Sequence, residues 1–120
     1  MSSNKDILNR ILEAMKEHGI RVDVHKAKTT SSIYLVFDNG MLKRARIGDH
    51  KGKGYHYTYE IGDHIFKLEA ISTPYEHGDF IRYRYPANAV EDMIMQILVM
   101  RLEKMKQFGT EYHNAMEAWS

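Results

Sequence analysis

Between Ser3 and Gly19 apolar residues recur at helical spacing. Ile7, Leu8, Ile11, Leu12 and Met15 share one stripe, Ser3 with Asp6 can cap its start, and Gly19 ends it. From Ile20 to His25 the period changes to two, with Ile20, Val22 and Val24 on one side, as in a half-buried strand. The polar run Lys26 to Ser32 reads as a loop. Ile33 to Phe37 is apolar on both faces and fits a central strand. Asn39-Gly40 is a two-residue hairpin signal, because a type I′ turn needs positive φ at both central positions. A turn there pairs Phe37 with Leu42 and Leu35 with Arg44, which sets Arg44 and Arg46 on the face of Ile33. Either a bulge re-aims these arginines or that face ends in a binding surface.

Further along, Tyr55, Tyr57, Tyr59 and Ile61 alternate with His56, Thr58 and Glu60. Gly62-Asp63 predicts a second tight turn, with His64 to Ile71 returning antiparallel. Ser72 to Gly78, with Pro74, is a loop. Phe80 to Tyr85 is a last strand, with Arg82 and Arg84 on one face and Ile81, Tyr83 and Tyr85 on the other. The closing helix has Pro86 near its first turn and a capping pattern in Asn88 and Glu91. Its core stripe is Val90, Ile94, Ile97, Leu98, Leu102, Met105 and Phe108. Met93, Met95, Val99 and Met100 make the opposite side apolar too, as expected of a helix covered on both sides. In so short a chain a partner subunit is the expected second cover, so the helix predicts a homo-oligomer. Gly109 stops it, and Thr110 to Trp119 can add a short helix.

These elements predict one α+β domain over residues 1–120: an N-terminal helix, an antiparallel meander of five or six strands and a long C-terminal helix. The chain has no cysteine, which rules out disulfides and thiolate zinc sites and agrees with a reducing cytoplasm. No stretch approaches the ~18 apolar residues of a membrane span; even Met93 to Met100 is interrupted by Gln96. A cytoplasmic protein without membrane contact is expected. The net charge of +1 argues against a protein that coats nucleic acid, yet Lys43 to Lys53 holds five basic residues against one acid.

That basic segment carries the candidate chemistry. Asp49-His50-Lys51-Gly52-Lys53-Gly54 has glycines that admit backbone N–H groups and lysines that answer phosphate. It is not a P-loop, and a solvated hairpin loop explains it as well. Tyr55, Tyr57 and Tyr59 share a face by alternation, where they could stack on bases or pack as core, the latter preferred for at least two of them. Arg44 with Arg46, and Arg82 with Arg84, are spaced to clamp phosphate from one strand face; Arg101 is a further guanidinium candidate. Seven histidines raise metal-dependent hydrolysis, with His50 and His64 as ligands, but no spacing specifies a metal site. Neither a Gly-x-Ser-x-Gly elbow nor a cysteine supplies a nucleophile, and the repeated Ile-Gly-Asp-His tetrapeptide is too short to define a repeat. No cofactor is expected.

Ser31-Ser32-Ile33-Tyr34-Leu35-Val36-Phe37-Asp38-Asn39-Gly40, followed by Arg46-Ile47-Gly48-Asp49-His50, resembles a segment of small phage and mobile-element proteins. In these a Ser-aromatic-aliphatic strand leads to Arg-Ile/Val-Ser-Asp-His, and Gly48 stands here in place of the serine. Some members are similar to inhibitors of host defence, including anti-CRISPR proteins. The helix–meander–helix plan also resembles phage sponges that sequester cyclic ADP-ribose signals of Thoeris type. The resemblance implies a counter-defence protein that binds a phosphorylated nucleotide signal without catalysis, in a pocket made between subunits. Arg44, Arg46, His50, Lys51, Lys53, Tyr55, Phe80, Arg82, Arg84 and Arg101 would be its ligand-binding residues. The alternative is a protein–protein inhibitor of a host defence nuclease.

Overall fold

In the computed structural model, which describes residues 4–49, 57–73 and 80–117, one helix, six strands and two further helices follow one another along the chain. Helix α1 (Asn4–Glu17) precedes β1 (Val22–Lys26), β2 (Ile33–Phe37), β3 (Arg44–Ile47), β4 (Tyr59–Gly62), β5 (Glu69–Thr73) and β6 (Phe80–Pro86). Helices α2 (Val90–Phe108) and α3 (Thr110–Glu117) close the chain. The architecture is α+β, with all six strands in one sheet of order β1-β2-β3-β4-β6-β5.

The sheet is mixed, which corrects the antiparallel meander. β3 and β4 run parallel, β4 and β6 run parallel, and only the outer pairs are antiparallel. His64 to Ile71 therefore does not fold back on β4. The strand in this region starts at Glu69 and lies at the edge, beyond β6.

The turn after β2 is also re-set. Asp38, Asn39 and Gly40 all have positive φ and form a 3-10 turn, and Lys43 takes a further left-handed conformation at φ 72°. The added backbone moves the pairing by one residue, to Leu35 opposite Ala45 and Ile33 opposite Ile47. A one-residue slip exchanges the two faces of a strand. Arg44 and Arg46 thus share the face of Val36 and Tyr34, and the side of Ile33 is left wholly apolar. Of the two expectations for these arginines, the re-aiming one describes the chain.

The apolar face of the sheet carries Ile33, Leu35, Phe37, Ala45, Ile47, Tyr59, Ile61 and Tyr85. It packs on Ile7, Ile11 and Met15 of α1 and on Met93, Ile94 and Ile97 of α2. The α1 stripe falls where helical spacing puts it. In α2 the stripe holds only over its first half, since Leu102 is 68% exposed. Pro86 ends β6 instead of opening the helix, and Ala89 precedes it with no side-chain cap. Glu91 is drawn away from the expected capping pattern by Arg10 of α1, whose Nε and Nη2 donate to its carboxylate at 2.7 and 2.8 Å. Among the described residues no helix is long and apolar enough to cross a membrane.

The β3–β4 pairing depends on two glycines. Gly48 N donates to Ile61 O at 3.0 Å, and this brings the Gly48 carbonyl against Gly62, where a Cβ would lie 1.6 Å from its oxygen. Because backbone blocks the methyl group, Gly62→Ala is expected to cost about 3 kcal/mol, the upper range for overpacking. Urea unfolding checks this; a midpoint equal to that of the unsubstituted chain would refute the close approach.

Candidate functional site

On the face turned away from the helices, the pairing registers align one residue from each of five strands. The row reads Tyr34, Arg46, Glu60, Arg84, Glu69 across β2, β3, β4, β6 and β5. From Arg46 onward neighbouring members bond in sequence. Arg46 Nη1 donates to Glu60 Oε2 at 2.9 Å, Arg84 Nε to Glu60 Oε1 at 3.0 Å, and Arg84 Nη1 to Glu69 Oε1 at 2.7 Å. Arg46 and Glu60 are each only 2% exposed. Ser32 Oγ accepts from Arg46 Nε and Nη2, at 3.3 and 3.2 Å.

Tyr57, just before β4, locks onto this row. Its hydroxyl accepts from Arg46 Nη1 at 3.0 Å and donates to Glu60 Oε2 at 2.6 Å, while the Arg82 guanidinium lies over its ring at 4.9 Å. Burial and the bond to Glu60 raise the Tyr57 phenol above its ordinary pKa, so it remains a donor. Burial works against the Glu60 carboxylate, but hydrogen bonds from Tyr57 and Arg84, with the charges of His64 and Arg84, hold it below the usual range. Burial likewise opposes the Arg46 charge and is outweighed by Tyr57 and Glu60, which raise its pKa. The expected common face of Tyr57 and Tyr59 does not form. Tyr59 enters the helix-side core, whereas the Tyr57 hydroxyl reaches the charged row.

At the end of the sheet where β3, β4 and β6 begin, a cleft of about 550 Å³ opens. Leu42, Ile81 and Met100 supply apolar wall, Tyr57, Tyr59 and Tyr83 aromatic wall, and Phe80 its rim. Tyr83 stacks on Tyr59 with ring centroids 5.8 Å apart and planes 17° from parallel. Among the described residues the charged lining is Lys43, Arg44 and Lys104, with no carboxylate. Lys104 Nζ donates to the Met41 carbonyl at 2.6 Å. Burial first, and then the Lys43 charge, lower the Lys104 pKa, an electrostatic cost that a bound anion would relieve. The volume and mixed lining match pockets for small organic ligands.

The structure thus distributes the candidate residues over three places. Arg44 and Phe80 line the cleft. Arg46, Arg82 and Arg84 gather around Glu60 on the polar face. Arg101 lies elsewhere, its Nε 2.9 Å from Asp38 Oδ2. His50, Lys51, Lys53 and Tyr55 lie outside the described residues. Lys104 and Glu60 were not singled out by sequence reading. Lys104 hides in an apolar helix, but alternation around Tyr59 and Ile61 already sets Glu60 on the opposite face. Among the described residues no group of three or more metal-ligating side chains of the His, Asp and Glu kind gathers.

The two halves of the segment over residues 31–49 meet in space. Ser31 Oγ donates to Asp49 Oδ1 at 2.8 Å, and Ser32 bonds Arg46. At Gly48 a Cβ would lie 3.2 Å from both Arg46 Nε and Ser32 Oγ, so a serine in its place would stand against this guanidinium. Comparisons of the chain with protein-family models, curated proteins and solved structures give no match.

Proposed function

We propose that this protein binds a phosphorylated nucleotide in the cleft at the start of β3, β4 and β6 and holds it intact. The observation that carries the reading is the lining itself: among the described residues, three cations without a carboxylate beside stacked tyrosines. Lys43, Arg44 and Lys104 answer phosphate charge, and Tyr83, backed by Tyr59, offers a π-face to the base. In the setting implied by the phage-like segment, such a ligand is a cyclic ADP-ribose or cyclic oligonucleotide signal of a host defence, withdrawn by sequestration in the host cytoplasm.

Calorimetry with ADP, cyclic ADP-ribose isomers and cyclic dinucleotides tests this. One of them is expected to bind stoichiometrically and more weakly at higher salt, and heating the complex is expected to release it uncleaved. Tyr83→Ala is expected to weaken binding about 5- to 150-fold, the range of about 1–3 kcal/mol for a lost stacking contact. Lys104→Met is expected to remove a charge-assisted bond of about 1.5–3 kcal/mol. No uptake of any of these nucleotides, or uptake indifferent to both substitutions, would sink the proposal.

A second reading, inhibition of a defence nuclease by direct contact, is favoured by one observation. Met95, Val99 and Leu102 form an exposed apolar stripe along α2. A second copy of the chain would cover the same stripe, as the oligomer expectation requires. Light scattering of the purified chain, with and without Val99→Glu, separates self-association from a monomer that docks elsewhere.

A further inference from the structure

We propose that the polar face of the sheet holds a second site, built from Arg82 and His64 beside Glu60, for a small oxyanion of the phosphate class. The inference does not rest on the nucleotide cleft, which uses other cations. Arg82 Nε is buried and has no hydrogen-bond partner among the described residues, and the same holds for both ring nitrogens of His64. The His64 side chain is 7% exposed. Its Nε2 lies 3.5 Å from Glu60 Oε1, and Arg82 Nη2 lies 4.0 Å from that same oxygen. Both side chains thus border Glu60 Oε1 without a hydrogen bond to it from His64 Nε2 or Arg82 Nε.

Glu60 bonds none of these nitrogens. Its Oε2 already accepts from Arg46 and Tyr57, and its Oε1 from Arg84. Among the described residues the cluster around Glu60 sets three arginines against two carboxylates, Glu60 and Glu69, leaving one positive charge in excess before His64 is considered. An arginine does not shed its proton, so Arg82 Nε–H can be satisfied only by an acceptor. A neutral imidazole also keeps one N–H. Water would accept both bonds but leave the charge uncompensated, whereas a tetrahedral oxyanion brings several acceptor oxygens together with negative charge. Arg82 and Arg84 keep 13% and 24% of their side chains exposed, so the row opens to solvent at this end.

The test uses the whole chain and inorganic phosphate, against chloride at matched ionic strength. Phosphate is expected to raise the melting temperature and to give a one-site isotherm. Arg82→Gln and His64→Gln are each expected to weaken it at least about tenfold, while Lys104→Met leaves it unchanged. The ring nitrogen resonances of His64 are expected to move on phosphate addition in the unsubstituted chain, a readout independent of whether the variants fold. ADP added to phosphate-saturated protein identifies the source: displacement assigns the site to a nucleotide phosphate, and co-binding assigns it to the free ion. The inference is overturned if phosphate acts no differently from chloride, or if Lys104→Met abolishes the effect and Arg82→Gln does not. In the latter case the anion sits in the cleft, and the nucleotide reading survives alone.

Discussion

Glu60→Ala is expected to cost about 3–5 kcal/mol, the range for removing one partner of a buried ion pair. For a domain whose whole stability is of order 5–15 kcal/mol, this leaves little. The cause is what remains behind. Arg46 is 2% exposed and cannot turn to water, and Arg84 Nε and the Tyr57 hydroxyl lose the same acceptor. Exposed pairs such as Arg10–Glu91 lack this penalty, because water replaces the missing partner. Urea unfolding measures the loss, and a double-mutant cycle with Arg84→Ala isolates the coupling. A change below about 1 kcal/mol, typical of a surface pair, would show that the row contributes no more than its exposed counterparts.

The same carboxylate gives stability a pH dependence of defined sign. The folded state holds the Glu60 pKa below its unfolded value of about 4.3. Its contribution is therefore complete above that value and is lost as pH falls through the lower, folded one. The stability difference between the unsubstituted chain and Glu60→Gln is thus expected to be constant near neutrality and to shrink only in acid.

How much of this was legible in the sequence follows from the range of the interactions concerned. Periodicity found α1, the apolar β2, the split faces of β6 and the buried half of α2, since each depends on residues a few positions apart. It also separated Arg82 and Arg84 from Tyr83. Strand order was not legible, because nothing between Ile47 and Tyr59 distinguishes a parallel return from a hairpin. Nor was the register after β2. Asn39-Gly40 is a local signal for a tight turn, but Asp38 is claimed by Arg101 and Tyr112, 63 and 74 residues away. That long-range demand sets the conformation of the turn and so decides which face receives Arg46. The cleft combines Lys43 and Arg44 with Tyr83 and Lys104, residues brought together only by the parallel pairing and the docking of α2.

Asp38→Ala is the other substitution expected to cost about 3–5 kcal/mol. Asp38 is 1% exposed, and its Oδ2 accepts from Arg101 Nε of α2 and from the Tyr112 hydroxyl of α3. Removing the carboxylate strands a guanidinium that is mostly buried. It also places alanine at φ 49°, where a left-handed residue other than Gly, Asn or Asp is penalised by roughly 1–2 kcal/mol. Asp38→Asn tolerates that backbone and keeps one acceptor oxygen, so it should fall between Asp38→Ala and Tyr112→Phe, which deletes one hydrogen bond worth about 1 kcal/mol. Unfolding in urea gives the order, and amide exchange in α3 is expected to accelerate along the same series, because this contact docks α3 to the sheet. An Asp38→Ala protein within about 1 kcal/mol of the unsubstituted chain would refute the anchoring role. The turn also bears on the cleft. Lys104 lies one turn beyond Arg101 on α2 and reaches the Met41 carbonyl of the same segment. Loosening Asp38 therefore frees a cleft cation along with the helix, and Asp38→Asn is expected to weaken nucleotide binding while Arg84→Ala, remote from that lining, spares it.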